Sequence, residues 1–318
     1  MDAETVEPHA TAANGPAPPT DRLLDLVWRR HRQWSVAAEV AKRRLDRWRL
    51  WNLGLLVLGA LTGALAAQTW LAAPVATGSA VVAVVSLGLA GYLQAHLLNT
   101  EQTARWTHAR AASEALKAET HRYLVRVAPY AQADRSQVLR AQLDVVRTRA
   151  AALLVDQQDV PVDDRPLPEV RTIGEYVTAR AQGQATWHRD ESVRHARRAR
   201  HIRAWQLVAT GVGVVLAAVT GFVPSWRLST WTAAATTIAA VFGAHLAATQ
   251  HQAIAAAYAA TADQLETLVA GFDLASATPD RQAQVVADVE RVLAAQNQGW
   301  TDLLSSGPAA GRGEPAGA

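Results

Sequence analysis

Residues 53–98 read LGLLVLGALTGALAAQTWLAAPVATGSAVVAVVSLGLAGYLQAHLL, and this stretch contains no Asp, Glu, Lys or Arg. A transmembrane helix needs about 20 predominantly apolar residues to cross roughly 30 Å of hydrocarbon. The stretch is long enough for two such helices, and Pro74 divides it into spans at about 53–73 and 75–98. We therefore predict a membrane hairpin with hardly any loop between its two helices.

The carboxy-terminal half contains a second pair of uncharged segments. No charged residue lies between Arg203 and Arg227 or from 228 to 262, which predicts spans at about 207–223 and 231–248. Two soluble helical domains with unusually apolar cores are the alternative, but uncharged runs of this length are typical of transmembrane helices. The predicted fold is an all-α membrane protein, with four transmembrane helices as two tandem hairpins and long amphipathic cytoplasmic helices.

Basic residues near the span ends predict the orientation. Lys and Arg accumulate on the cytoplasmic side of a membrane protein, and here basic runs precede the first and third spans. The turns inside the hairpins carry only Arg227, so we expect both termini in the cytoplasm. These runs can also bind anionic lipid headgroups. The arginines that set the topology are Arg43, Arg44, Arg47, Arg49, Arg197, Arg198, Arg200 and Arg203.

Tryptophans lie at the predicted span ends, where aromatic side chains favour the membrane interface. The residues predicted to lie at this interface are Trp48, Trp51, Trp70, Trp205, Trp226 and Trp231.

The two halves of the chain resemble each other. Both halves enter the membrane from the same side, so the repeat is parallel, unlike the inverted repeats of many transporters. The matched pairs are Arg49 with Arg203, Trp51 with Trp205, Gly59 with Gly213, and His96 with His245. The predicted organisation is a disordered amino terminus (1–19), a first domain (20–155), a linker (156–171), a second domain (172–304) and a disordered tail (305–318).

Two patterns predict helix packing. The spacing Gly59-x-x-x-Gly63 permits close helix contact, either within the chain or in a dimer. An apolar stripe at alternating spacings of three and four precedes the first span and packs on its repeat partner or on another subunit. Its members are Leu24, Val27, His31, Trp34, Ala38, Ala41, Leu45 and Trp48.

These features resemble the SLATT family, the SMODS- and SLOG-associating two-transmembrane effectors of bacteria. The second half carries the clearer resemblance, in Arg180-Ala-Gln182 through Trp187, the Arg-rich run to Trp205, the short hairpin, and Val289-Glu290 before Trp300. The first half is more divergent, and a pair of two SLATT subtypes would account for it. The resemblance implies an effector in the bacterial inner membrane, which forms a pore or perturbs the membrane in anti-phage defence. Together with the tandem hairpins and the apolar stripe, it predicts a homo-oligomer formed through the cytoplasmic helices.

No obvious nucleotide-binding domain is present. The trigger would therefore be detected by a cytoplasmic or nucleotide-signalling partner, or by the cytoplasmic helices of this chain. A membrane-anchored scaffold that presents those helices to a partner is one alternative function. A small regulated channel or transporter is another.

Motifs of enzymes and cofactor sites are weak in this sequence. The chain has no Cys, which excludes thiolate metal sites and Cys nucleophiles. His188-x-x-Glu191 offers two metal ligands on one helical face, but a competent site needs three or four. We therefore expect no catalytic, cofactor-binding or metal-binding residues, and no nucleic-acid partner, because the basic runs lie at the membrane surface.

The candidates for lining a pore are polar residues of the second and fourth spans. Ionisable groups within spans are candidates for function, although a histidine near a span end also serves simply to hydrogen-bond at the interface. The candidates are Thr232, Thr236, Thr237, His245 and His96.

Overall fold

A computed structural model describes residues 19–151, 165–223 and 228–305, and these ranges contain no β-strand. A π-helical segment, Val177–Gln182, joins α5 to α6, so that the chain is helical from Ile173 to Phe222. The helices are α1 (Pro19–Ala66), α2 (Ala73–His96), α3 (Thr100–Leu124), α4 (Arg135–Arg149), α5 (Ile173–Tyr176), α6 (Gly183–Phe222), α7 (Ser229–Thr249), α8 (His251–Ala270) and α9 (Pro279–Ser305).

Four of these helices, α1, α2, α6 and α7, are long and apolar enough to cross a membrane. A helix satisfies its own backbone hydrogen bonds and is therefore one of the few structures that lipid tolerates. Only 11–17% of each apolar window is buried inside the protein, which leaves most of these surfaces for lipid. The chain is an all-α membrane protein, as the uncharged segments predicted.

Outside the membrane, α1 and α6 continue without a break into a helical bundle. This polar bundle consists of the first parts of α1 and α6 together with α3, α4, α8 and α9. The stripe predicted on α1 is buried here, because Val27, Trp34 and Ala38 pack into one core with residues of α3. Ile254 and Tyr258 of α8 belong to the same core. The stripe therefore packs within the chain, in a core that both halves share.

Equivalent glycines position the two helices of each hairpin. A Cβ atom at Gly59 would lie 2.8 Å from the side chain of Leu87, and one at Gly213 would lie 3.4 Å from that of Thr236. Leu87 and Thr236 are themselves equivalent when His96 is matched with His245. Both halves thus use the same glycine for the same contact, and Gly59 serves packing within the hairpin.

The two hairpins contact each other through α1 and α7. At the turn end of the hairpins, Nε2 of Gln68 donates a hydrogen bond of 2.8 Å to Oγ1 of Thr230. The repeat would also allow α6 to pack on α2, but the described residues form no comparable contact there. The packing between the hairpins is therefore asymmetric although their sequences repeat.

Several predicted regions lie outside the described residues. They are residues 1–18 and 306–318 of the predicted disordered ends, the part of the predicted linker before residue 165, and Trp226 with Arg227 in the second turn. The described part of the linker, residues 165–171, is not helical.

Candidate functional site: a groove between the hairpins

The three threonines predicted to line a pore all lie on α7, which contains the fourth predicted span. The hydroxyl of Thr232 donates to the carbonyl of Leu228 at 3.2 Å, and that of Thr236 donates to the carbonyl of Thr232 at 3.1 Å. Thr237 is exposed. Such bonds to the preceding turn satisfy a hydroxyl without a partner helix, so a role in a pore stays a prediction.

The two equivalent histidines have different surroundings. His96 is the last residue of α2 and is exposed, with its ring centroid 4.7 Å from that of Tyr92. His245 is half-buried and lines a groove between the hairpins. The structure does not bring the two rings together, because the α1–α7 contact covers only one of the two equivalent positions.

This groove has a volume of about 820 Å³ and lies between α1, α2 and α7, at the end of the hairpins that joins the polar bundle. Its floor is α1, and α2 and α7 form its two walls. Its polar lining comes from all three helices and from the segments that follow α2 and α7. The polar residues that line it include Arg49, Asn52, Gln94, Thr103, His245 and Gln250. None of its lining residues among those described is a carboxylate.

The lining changes from polar to apolar along each helix. On α1, Arg49 and Asn52 are followed by Leu56 deeper in the membrane. On α2, Gln94 lies at the bundle end, and Leu87 is nearly two turns deeper. The wall formed by α7 changes in the same direction, from His245 to Val241. The groove is thus polar at the membrane surface and apolar inside.

Arg49 was predicted to mark topology and bind headgroups, and its side chain is only 18% exposed. It lines the groove and forms an ion pair with Asp46 at 3.9 Å, which is too long for a hydrogen bond. The equivalent Arg203 is exposed and donates to Oε1 of Gln252 at 3.2 Å. The two arginines differ because α7 covers α1, whereas the equivalent face of α6 is uncovered.

Asn52 gives the groove an unsatisfied polar atom. Its Oδ1 is buried and has no hydrogen-bond partner. A buried carbonyl without a donor is costly. Because this oxygen is shielded from solvent, it is not itself a contact for a ligand in the groove, and Arg49 supplies the cationic contact.

The other predicted interface residues lie mainly on the outside of the molecule. Trp51, Trp70 and Trp205 are 60%, 72% and 61% exposed, while Trp48 and Trp231 are half-buried. Exposed tryptophans at span ends fit an interfacial role, which stays a prediction. The remaining arginines of the predicted set are all exposed: Arg43, Arg44, Arg47, Arg197, Arg198 and Arg200.

A buried ionic network joins the two halves inside the polar bundle. Nε of Arg180 donates to Oε1 of Glu290 at 3.1 Å, and its Nη2 donates to Oε2 at 3.0 Å. The hydroxyl of Tyr176 donates to the same carboxylate at 2.9 Å. Glu114, on α3 of the first half, lies 3.9 Å from Nη1 of Arg180. The network therefore ties α3, the π-helical segment and α9 together.

The positive charges of this network lower the pKa of its two carboxylates. Burial would raise the pKa of Glu114, but Lys117 and Arg180 outweigh it and lower the pKa to about 2. Burial likewise opposes ionisation of Glu290, yet Arg180 keeps its pKa below the ordinary value. Arg180 and Glu290 both belong to the sequence pattern of the resemblance, but nothing in their separation of 110 residues indicated that they pair.

The weak metal motif does not form a site. Nδ1–H of His188 donates to the carbonyl of Gln184 at 2.7 Å, and Glu191 pairs with Arg194. No group of three or more metal-ligating side chains occurs within residues 19–151, 165–223 and 228–305.

Each half of the chain matches a sequence family. Residues 176–300 match the family described as SMODS and SLOG-associating 2TM effector domain 1. Residues 32–137 match a family described as a protein of unknown function, DUF4231. No curated protein and no solved structure matches the chain. The resemblance of the second half is confirmed, whereas the first half matches a different family.

Proposed function

We propose, from the premise that this chain is a SLATT-type membrane protein, that it is a non-enzymatic effector of a bacterial conflict system such as anti-phage defence. It lies in the inner membrane, oligomerises, and forms a pore or otherwise perturbs the membrane when triggered. The observation that carries this proposal is the match of residues 176–300 to a two-transmembrane effector domain. The hairpin α6–α7 lies within that match and has mostly uncovered apolar surfaces.

The arginines support an orientation with the polar bundle and both termini in the cytoplasm. Exposed arginines surround α1 and α6 where these helices leave the bundle, among them Arg44, Arg47, Arg197 and Arg200. Positive residues next to span ends favour the cytoplasmic side. On this orientation a cytoplasmic sensor or nucleotide-signalling partner would contact the polar bundle.

The asymmetric packing of the hairpins supports oligomerisation. Within the chain, the first helix of one hairpin, α1, packs on the second helix of the other, α7. The equivalent pair, α6 and α2, has uncovered apolar faces that include Leu207 and Val212 on α6 and Val81 and Val85 on α2. A second copy could repeat the internal contact there. Such head-to-tail contacts close into a ring when the rotation between copies permits it.

Membrane potential is the property that tests the effector proposal. We would express the full chain from an inducible promoter in a bacterial host and follow a voltage-sensitive dye. A triple variant, Thr232→Leu, Thr236→Leu and Thr237→Leu, removes the hydroxyls of the three candidate threonines on α7. The matched control is Thr210→Leu on α6, because the Thr210 hydroxyl makes the same kind of bond, to the carbonyl of Gln206 at 2.9 Å.

We expect rapid depolarisation with growth arrest for the wild-type chain and for the Thr210 variant. The triple variant should insert normally and leave the potential unchanged. Depolarisation by the triple variant would contradict the assignment of these threonines to a pore. No depolarisation by the wild-type chain, when it is in the membrane together with its genomic neighbours, would favour a scaffold instead.

A further inference from the structure

We propose that the groove between α1, α2 and α7 binds one anionic phospholipid, from the leaflet on the side of the polar bundle. Arg49 holds the lipid phosphate, and the acyl chains follow the apolar part of the groove. The inference requires only that the chain spans a membrane, and it does not depend on the effector proposal.

The size of the groove fits a ligand rather than a packing defect. Its volume of about 820 Å³ falls within the range of roughly 300–1,000 Å³ that small-molecule sites occupy. It lies between helices whose apolar windows are mostly not buried inside the protein, so a lipid can reach it from the membrane. Acyl chains can also continue beyond the groove into the bilayer.

The polarity of the groove identifies the ligand as an amphiphile. From Arg49 to Leu56 the lining of α1 changes from a cation to hydrocarbon over seven residues, or roughly 10 Å of helix. The lining of α2 and α7 changes in the same direction. A soluble anion would leave Leu56 and Leu87 without an apolar partner, whereas a hydrocarbon would leave the guanidinium of Arg49 without a hydrogen-bond acceptor. A phospholipid satisfies both ends.

The charge of the groove selects an anionic headgroup. The described lining contains Arg49 and no carboxylate. The ion pair of Arg49 with Asp46 at 3.9 Å is too long for a hydrogen bond, and the Asp46 side chain is 52% exposed. A guanidinium has five N–H donors in a planar fork, which suits bidentate contact with a phosphate. A zwitterionic choline headgroup would add a cation beside Arg49, whereas a glycerol headgroup adds none.

The repeat provides a matched control within the same chain. Arg203 is the equivalent of Arg49, but it is exposed and already donates to Gln252. Arg49→Gln and Arg203→Gln therefore make the same chemical change at equivalent positions, one inside the groove and one outside it. Arg49→Lys keeps the charge but loses the planar fork.

The test is native mass spectrometry of the full chain in detergent, titrated with phosphatidylglycerol or with phosphatidylcholine of the same acyl chains. We expect a single tightly held phosphatidylglycerol. Arg49→Gln should weaken its binding by about tenfold or more, as expected for one lost charge-assisted contact. Arg203→Gln should change the affinity for phosphatidylglycerol by less than about twofold. Arg49→Lys should weaken binding by an amount between the effects of the two glutamine variants.

Several results would overturn the proposal. They are equal binding of the two lipids, equal losses for the two glutamine variants, or binding of free glycerol 3-phosphate as tightly as the lipid. The last result would assign the site to a soluble anion. Circular dichroism melting of each variant in the same detergent separates lost binding from lost folding. None of these measurements uses membrane depolarisation. Failure of the lipid-site proposal can therefore be distinguished from failure of the effector proposal.

Discussion

The side-chain amide of Gln68 donates to the hydroxyl of Thr230 and so joins the turn ends of the two hairpins within one chain. Gln68 is buried and also donates to the carbonyl of Ala64 at 2.9 Å, which fixes the amide at this contact. By the same repeat that matches Arg49 with Arg203 and His96 with His245, the equivalents of these two residues are Phe222 and Val81. Both equivalents are exposed, at 87% and 56%.

Cross-linking tests whether copies of the chain repeat this internal contact. The chain has no Cys, so introduced thiols are the only ones. A short bifunctional thiol reagent should link Phe222→Cys of one copy to Val81→Cys of the next and give a ladder of oligomers on denaturing gels. The pair Gln68→Cys and Thr230→Cys should give only links within one chain.

The matched control for that experiment is Phe222→Cys with Tyr92→Cys. Tyr92 is also exposed on α2, but it is 11 residues from Val81, or roughly 16 Å along the helix. A ladder from the control pair equal to that from the Val81 pair would argue against the proposed register. Links within one chain alone would argue against the head-to-tail contact.

Removal of the Glu290 carboxylate should destabilise the protein strongly. Breaking a buried ion pair from one side costs about 3–5 kcal/mol, because the remaining charge is left uncompensated. Glu290 is 1% exposed and Arg180 is 2% exposed, so Glu290→Gln should lower the free energy of unfolding by that order. Denaturant unfolding in detergent, followed by circular dichroism, measures the loss.

The control for this prediction is Asp288→Asn, in the neighbouring ion pair of α9. Asp288 pairs with Arg291, and their side chains are 19% and 67% exposed. Asp288 is therefore less buried than Glu290 and its partner is open to solvent, and pairs at the surface contribute only about 0–1 kcal/mol. Comparable losses for Asp288→Asn and Glu290→Gln would show that the network of Arg180 does not stabilise the bundle.

Acid should lower the free energy of unfolding of the polar bundle below about pH 6.5. Burial, together with Arg180, lowers the pKa of His121 from its ordinary value to about 4. A group whose pKa is lower in the folded state stabilises the protein above its unfolded pKa, and this stability is lost as the pH falls towards the folded pKa. The contribution of His121 should therefore disappear between about pH 6.5 and 4.

The low pKa of Glu114, about 2, acts in the same direction at lower pH. The melting temperature in detergent should fall on acidification from pH 7.5 to 4, and His121→Gln should flatten the part of that curve between pH 6.5 and 4.5. An unchanged slope in this variant would assign the acid sensitivity to other groups.

The internal repeat explains why parts of the site were predictable. Arg49 and His245 were identified from the sequence as polar residues at span ends, and both line the groove. Their equivalents, Arg203 and His96, carried the same sequence signal and lie outside it. Asn52 carried no signal, because a single amide near a span end is common and only its buried, unpaired oxygen makes it informative.

The four spans, the two hairpins and the all-α class follow from local features of the sequence. The physical reason is local: a run of about 20 residues without charge favours hydrocarbon, and a helix satisfies its own backbone there. The stripe of α1 was equally local, since spacings of three and four fall on one face of a helix.

The tertiary structure alone decided which of two equivalent positions is buried and which distant residues pair. Arg49 lies in a groove because α7 packs on α1, and Arg203 is exposed because no equivalent contact covers α6. Arg180 and Glu290 meet because the bundle brings the π-helical segment against α9. These outcomes depend on the packing of whole helices, and a repeated local pattern is compatible with either arrangement.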